Sequence, residues 1–248
     1  MTADSEKDIK YLKAIGRVCA LALKKMMKEA KPGMTTAELD NIGSEFLKKE
    51  GATSAPQAMY QFPGATCISI SPVIAHGIPN DHVLSEGELI NIDVSAEMDG
   101  YFSDTGASMV VAKHIPEYEK ILEATRSALN KAVHAAVARQ PLNIIGKTIQ
   151  QEAKQNGFNV IYELTGHGIG RHLHEEPSAV HNFFKQDERR ILNEGLVLAI
   201  EPFLTTGKGR VVEKKDHWSL QTTDKTMAAQ FEHTIIVTKN EPIILTLA

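Results

Sequence analysis

The chain has 248 residues, of which 42% are hydrophobic and 23% are charged, so it can bury a sizeable core and is not a disordered sequence. The formal net charge of −4 gives no chain-wide attraction for nucleic acid or for an anionic membrane, and neither partner is expected. Because no apolar run is long enough to span a bilayer and Lys and Glu interrupt any signal-peptide core, we expect a cytoplasmic protein. Cys19 and Cys67 lack the spacing of a disulfide framework or a zinc ribbon.

The first part of the chain is predicted to contain two helices followed by strands. Apolar residues recur at intervals of three and four from about residue 8 to residue 30, where a Lys-Pro-Gly sequence ends the helix. Thr35 followed by Glu38 is a capping-box pattern for a second helix that ends near Gly51. Residues 52–64 are predicted to form a loop that leads into strands at 67–70, 89–94 and 108–111.

The second part repeats that order. Helical periodicity between residues 116 and 157 is interrupted by Pro141 and predicts two further helices, and strand-like runs follow at 159–164, 196–200 and 231–238. This order is compatible with a duplicated half, and no low-complexity linker divides the chain, so we predict a single α+β domain over residues 1–248. The charged runs at 187–190 and 208–215 are interpreted as solvated loops, with a ribosome contact as the alternative.

Four carboxylates lie within apolar, strand-like runs, where charged residues are uncommon because burying a charge is costly. They are Asp93 in LINIDVS, Asp104 in YFSDTGAS, Glu201 in LVLAIEPF and Glu232 in AQFEHTIIV. Any one of them alone is most simply a structural salt bridge or a capped turn. Four together indicate a cation site, because buried like charges repel one another unless multivalent cations neutralise them.

A fifth candidate ligand is His167, which lies between two glycines in the segment GHGIGRHLHEEP. A single histidine is more often a core or surface residue, but this one accompanies the four acids. Four carboxylates and a neutral imidazole carry a charge of about −4, which two divalent ions balance. An oxygen-rich donor set with one imidazole suits Mn, Fe, Co or Zn and does not select among them.

Three other patterns are weaker signals. GHGIG does not complete the glycine pattern of a dinucleotide loop, and GKT at Gly146 lacks the earlier glycine of a P-loop. Cys67, beside His76, is conceivable as a nucleophile, but its apolar surroundings favour a packing role.

Five motifs in order resemble the type I methionine aminopeptidases over nearly the whole chain: AHGIPN, NIDVSAEMDGYFSDT, LTGHGIGRHLHEEP, LAIEPF and AAQFEHTIIVT. The resemblance implies the pita-bread α/β fold, with two related halves around a curved antiparallel sheet and the metal site at its centre. It also implies metal-dependent removal of the initiator methionine from nascent polypeptides whose second residue is small. A monomer is expected, because no heptad seam or large apolar stripe remains after the core is assigned.

The same resemblance implies a role for each site residue. Two divalent ions would be held by Asp93, Asp104, His167, Glu201 and Glu232, with Asp104 and Glu232 as bridging carboxylates. A water or hydroxide activated by the two ions would attack the first peptide carbonyl, and Glu201 would move the proton. His174 would bond to the carbonyl oxygen, and His76 would contact the backbone nitrogen of the residue after methionine.

The resemblance also implies an apolar pocket for the methionine side chain, with walls from Cys67, Phe62, Leu173 and Trp218. Phe62 and Leu173 stand where many relatives have Tyr and Phe, and Pro56 stands where some have a second cysteine, so the shape of the pocket is expected to differ. Two alternatives remain open: an X-Pro peptidase of the same fold, and a non-catalytic binding protein of that fold. Glu201 and Glu232 are only 31 positions apart, which excludes the helical insertion of type II enzymes.

Overall fold

The computed structural model describes residues 1–248, in which pairs of helices alternate with short antiparallel strands. The helices are α1 (Glu6–Glu29), α2 (Thr36–Lys49), α3 (Ala55–Tyr60), α4 (Pro116–Ala135) and α5 (Asn143–Gln155). The strands of the first part are β1 (Thr53–Ser54), β2 (Cys67–Ile70), β3 (Val73–Ala75), β4 (Leu89–Met98) and β5 (Tyr101–Val110). Those of the second part are β6 (Asn159–Val160), β7 (Thr165–Gly168), β8 (Glu175–His181), β9 (Val197–Ile200), β10 (Phe203–Thr205), β11 (Val211–Glu213), β12 (Leu220–Thr222), β13 (Ala228–Gln230), β14 (His233–Ile236) and β15 (Ile243–Ile244).

The four long helices are confirmed close to their predicted bounds. Ser5 caps α1 by accepting a hydrogen bond of 3.1 Å from the backbone nitrogen of Asp8. Both bonds of the predicted capping box at α2 are present, one from the Glu38 backbone to the Thr35 hydroxyl and one from the Thr35 backbone to the Glu38 carboxylate. These bonds satisfy backbone donors that the first turn of a helix leaves free. No helix of the protein combines the length and the apolar character that crossing a membrane requires.

The loop predicted at residues 52–64 is wrong, because the structure forms β1 and α3 there. Ser54 caps α3 by accepting a bond from the backbone nitrogen of Gln57, and Pro56 stands in its first turn. Both are helix-start residues. A helix of six residues is too short to show helical periodicity, which explains why the pattern indicated a loop.

Some strand bounds also differ from their predictions. The strand predicted at 108–111 is the end of β5, which begins at Tyr101. Its first residues were missed because the buried polar residues Ser103 and Thr105 hide the apolar pattern. The run predicted at 159–164 is a strand only over Asn159–Val160.

Two antiparallel sheets form the centre of the two parts. In the first, β4 pairs with β5 along its whole length, while its other edge pairs with β2 and then with β1. The second has the order β15-β14-β9-β7-β8. Two three-stranded sheets, β13-β10-β6 and β11-β12-β3, complete the strands. One cluster of 52 buried hydrophobic residues, from Ala3 to Leu245, includes side chains from both parts of the chain.

The two parts meet along a seam between β5 and residues 231–234. The backbone nitrogen of Glu232 donates to the carbonyl of Gly106 at 2.9 Å, and the hydroxyl of Thr105 donates to the carbonyl of Glu232 at 2.9 Å. The backbone nitrogen of Asp104 donates to the hydroxyl of Thr234 at 2.9 Å. This seam therefore places two of the predicted ligands, Asp104 and Glu232, side by side.

Asp40 of α2 fixes the start of β2, because its carboxylate accepts bonds from the backbone nitrogens of Ala65 and Thr66 and from the Thr66 hydroxyl. We expect Asp40→Ala to lower the free energy of unfolding by about 1–3 kcal/mol, since it leaves two backbone donors without a partner. The measurement is urea unfolding, with Asp81→Ala at an exposed position as the control. Equal stability of the two variants would contradict this account.

Candidate metal centre and substrate pocket

A single cavity of about 260 Å³ brings together all of the predicted site residues. Its lining includes the five predicted ligands, the two predicted substrate histidines and the four predicted pocket residues: Asp93, Asp104, His167, Glu201, Glu232, His76, His174, Cys67, Phe62, Leu173 and Trp218. Three more residues line it: Pro56, Tyr60 and Ser95. Of these, Tyr60 and Ser95 were not predicted from the sequence.

The polar end of the cavity is a cluster of acidic side chains around His167. Asp104, His167 and Glu232 are buried, and each has a ligand atom within 4.8 Å of the others. The Nε2 atom of His167 lies 3.8 Å from Oδ2 of Asp104 and 3.6 Å from Oε1 of Glu201. These separations are longer than hydrogen bonds and leave space between the donor atoms.

Strand register explains how residues distant in sequence reach this cluster. Asp104 of β5 pairs with Ser95 of β4, so Asp93, two positions from Ser95, is its diagonal neighbour on the same face of the sheet. In the second sheet His233 of β14 pairs with Ile200 of β9. Glu201 directly follows β9 and Glu232 directly precedes β14, so the two residues lie next to each other at the same end of this strand pair.

Burial dominates the electrostatics of the cluster. It raises the pKa of Asp93 from 3.8 to about 6. Burial raises the pKa values of Asp104, Glu201 and Glu232 well above their ordinary values, and the neighbouring carboxylates raise each of them further. Burial also lowers the pKa of His167 to about 3, so its imidazole is neutral at pH 7.

The residues of the cluster fit a divalent metal ion. Oδ1 of Asp104 and Oε1 of Glu232 are buried and have no hydrogen-bond partner, which is costly for carboxylate oxygens unless a cation binds them. Nδ1 of His167 bonds to the carbonyl of Gly168 at 2.9 Å, which leaves Nε2 free to face the carboxylates. Neutral imidazole and carboxylate oxygens are ligands for Mn, Fe, Co and Zn ions.

The glycines on both sides of His167 are required by strand packing. A Cβ atom at Gly166 would lie 2.3 Å from the carbonyl oxygen of Ala199, and one at Gly168 would lie 2.4 Å from that of Glu176. The glycines therefore let β7 lie close to β9 and β8 and keep His167 in the cluster.

The other end of the cavity is apolar. Phe62 and Trp218 meet edge to face with ring centroids 5.2 Å apart, and Cys67 and Leu173 are buried beside the cavity. Burial and the nearby carboxylates raise the pKa of the Cys67 thiol well above its ordinary value. A protonated thiol is a poor nucleophile, which agrees with a packing role.

Two histidines stand at the open side of the cavity. His76 occupies the left-handed region at φ 53°, a conformation that is uncommon outside glycine. The ring of His174 lies 4.1 Å from that of His167, centroid to centroid, and its Nδ1 atom is 2.6 Å from the hydroxyl of Tyr60. Tyr60 was missed because it belongs to α3, the helix that the sequence pattern did not reveal; the helix-start residues Ser54 and Pro56 were the available signal.

Comparison with known proteins identifies the family. A model of metallopeptidase family M24 matches residues 10–239. A protein named methionine aminopeptidase 2 from Bacillus subtilis is 44% identical over 247 residues, which is 99% of each chain. A methionine aminopeptidase from Staphylococcus epidermidis is 43% identical over 99% of this chain and 98% of its own. The chain therefore belongs to the methionine aminopeptidases of metallopeptidase family M24.

Solved structures confirm the pita-bread fold. A methionine aminopeptidase from Thermotoga maritima aligns with a TM-score of 0.95 and 32% identity, covering 100% of both chains. A prolidase from Pyrococcus horikoshii aligns with a TM-score of 0.79 at 23% identity, and the match covers 100% of this chain but 64% of the prolidase. The second likeness shows a shared fold alone.

The buried charges predict a gain in stability when one carboxylate is neutralised. In metal-free protein at pH 8, Glu201→Gln should raise the midpoint of thermal unfolding, because the variant no longer has to bury an ionised carboxylate. The gain should disappear as the pH falls below the raised pKa of Glu201, where the wild-type side chain is also neutral. Added Mn²⁺ should stabilise the wild type more than the variant.

Thermal unfolding with chelator and with Mn²⁺ measures both effects. Glu213→Gln, an exposed change on β11, is the control and should leave the midpoint unchanged. A metal-free Glu201→Gln protein that is less stable than the wild type would contradict the electrostatic account.

Proposed function

We propose that this protein removes the N-terminal methionine from polypeptides whose second residue is small. One observation carries the proposal: the same cavity contains a buried acidic cluster at one end and an apolar region lined by Phe62 and Trp218 at the other. A peptide whose first carbonyl lies at the cluster extends its first side chain into the apolar end. Membership of the methionine aminopeptidases supports the same substrate.

We propose Asp93, Asp104, His167, Glu201 and Glu232 as the holders of two divalent ions, with Asp104 and Glu232 shared between them. Two ions balance the charge of the four carboxylates, and the donor types suit Mn, Fe, Co or Zn. Divalent cations bound there would make water nucleophilic at neutral pH and polarise the peptide carbonyl.

The side chains of the chain itself provide the remaining functions. Glu201 faces the cavity and takes the proton lost by the attacking water, then delivers it to the leaving amine. His174 donates a hydrogen bond to the carbonyl oxygen as negative charge develops there. His76 contacts the backbone nitrogen of the second residue and aligns the peptide with the cluster.

The apolar end selects methionine. The aromatic rings of Phe62 and Trp218 and the sulfur of Cys67 are favourable contacts for a flexible thioether. Phe62, Cys67 and Leu173 are buried and present an apolar surface to this end of the cavity.

The proposed substrate also suggests where the protein works. Nascent polypeptides carry initiator methionine in the cytoplasm, and two free cysteine thiols, Cys19 and Cys67, are compatible with a reducing compartment. We propose that residues 1–248 act as one domain and as a monomer, with a transient contact to the ribosome. The contiguous core of 52 residues supports the single domain.

A three-peptide panel tests the activity. Protein stripped of metal with chelator and then given Mn, Fe, Co or Zn should release methionine from Met-Ala-Ser, but should spare Met-Lys-Ser and Ala-Pro-Ser. Asp104→Asn should lose both tight metal binding and hydrolysis, because it removes a shared carboxylate from the cluster. Free amino acid is measured by chromatography and bound metal by elemental analysis.

Other outcomes of the peptide panel would point to a different function. Cleavage of Ala-Pro-Ser alone would assign the protein to the X-Pro peptidases, and no cleavage with any metal would favour a binding protein. Parental activity in Asp104→Asn would contradict the role of that carboxylate.

The apolar pocket predicts a change in substrate binding. Trp218→Ala removes an aromatic wall, and we expect KM for Met-Ala-Ser to rise about tenfold or more, since lost apolar contact on this scale weakens binding by more than about 1.4 kcal/mol. Steady-state kinetics measures the change, with Val212→Ala at an exposed position of β11 as the control. An unchanged KM would remove Trp218 from the pocket.

A further inference from the structure

The side chain of Tyr60 reaches the cavity from the end of α3 and touches a single polar group. Its hydroxyl lies 2.6 Å from Nδ1 of His174, and the two rings are tilted by 55° with centroids 5.6 Å apart. No other hydrogen bond in the protein involves either side chain. This bond links the first part of the chain to the segment that follows β7.

The direction of the bond depends on the tautomer of His174. A neutral imidazole has one N–H donor and one bare nitrogen that accepts, and the partner of one nitrogen decides which form is present. A phenol is protonated at neutral pH, and burial together with Asp104 raises the pKa of Tyr60 further. The hydroxyl of Tyr60 is therefore available to donate to a bare Nδ1, and in that arrangement the proton of His174 lies on Nε2.

The tautomer matters because of what lies next to His174. The ring centroids of His167 and His174 are 4.1 Å apart. A bare Nε2 atom on His174 would therefore be an additional metal ligand beside the acidic cluster. With its proton on Nε2, His174 cannot ligate a cation through that atom and can only donate a hydrogen bond. A carbonyl oxygen is the partner that this donor fits.

The segment that carries Tyr60 is anchored by hydrogen bonds on both sides of α3. The hydroxyl of Ser54 donates to the carbonyl of Ala65 at 2.7 Å, which closes the segment on itself. Asp40 then fixes Ala65 and Thr66 to α2. Tyr60 itself is 45% exposed, so its ring contributes little to the core.

We propose that Tyr60 is a positioning residue that holds His174 in the Nε2–H tautomer and directs that donor to the substrate carbonyl. Only one part of this inference rests on the proposed function, namely that the carbonyl which accepts from His174 is the first peptide carbonyl of the substrate. The tautomer itself is a property of the chain without substrate or metal.

Nuclear magnetic resonance of metal-free protein labelled with ¹⁵N at histidine tests the tautomer at a fixed pH of 8. The signals of His174 are assigned by their loss in His174→Asn. In the wild type, His174 should be in the Nε2–H form. In Tyr60→Phe, which keeps the ring and removes the hydroxyl, the two tautomers should be mixed. Tyr118→Phe on α4 is the matched control and should leave His174 as in the wild type.

Kinetics then separates positioning from a structural effect. In Tyr60→Phe, kcat for Met-Ala-Ser should fall about three- to tenfold, the effect of one weakened hydrogen bond, with KM changed less than about twofold. An unchanged thermal midpoint would show that the variant is folded.

Three outcomes would overturn the proposal: an Nδ1–H form in the wild type, the same tautomer in the wild type and Tyr60→Phe, or a loss of kcat without a change in tautomer. A wild type that cleaves no peptide would refute the proposed function. A tautomer change in Tyr60→Phe would still support the positioning role of Tyr60 in that case.

Discussion

The mutual repulsion of four carboxylates in one buried place is the constraint on which the rest of the structure depends. Each of them would be less costly at the surface. Burial raises all four pKa values, and neighbouring carboxylates raise those of Asp104, Glu201 and Glu232 further. Strand pairing fixes the backbone beside each acid and so keeps the four side chains at the cavity. The result is a buried site whose ionised form carries negative charge that bound divalent cations would balance.

A second layer of buried polar groups holds Glu232 in its orientation. The amide of Gln230 donates to one oxygen of Glu232 at 3.0 Å, and the amide of Asn91 donates to the side-chain oxygen of Gln230 at 2.7 Å. The Ser108 hydroxyl donates to the carbonyl of Gln230 at 3.1 Å. Gly106 leaves the space that this chain of bonds requires, because a Cβ there would lie 2.5 Å from the side chain of Gln230. This chain of bonds holds one oxygen of Glu232 and favours one arrangement of the carboxylate.

The sequence was most informative where one physical signal dominated. The long helices could be predicted because their buried faces repeat every three to four residues, and the cluster could be predicted because an acid inside an apolar run is rarely tolerated without a partner. The same logic failed for α3, whose six residues complete fewer than two turns, and for β5, whose buried serines and threonines resemble a surface strand. The bond from Tyr60 to His174 joins positions 114 apart, and no local pattern records such a pair. The roles of individual ligands stay predictions.

The seam between the two parts has a consequence for the order of events during synthesis. The bond between the Asp104 backbone and Thr234 closes a loop of 130 positions, and contacts of such long range form late because the entropy of loop closure must be overcome first. While this chain emerges from a ribosome, Asp93 and Asp104 are translated well before Glu201 and Glu232. A newly made copy therefore has no complete cluster until its final strands are released.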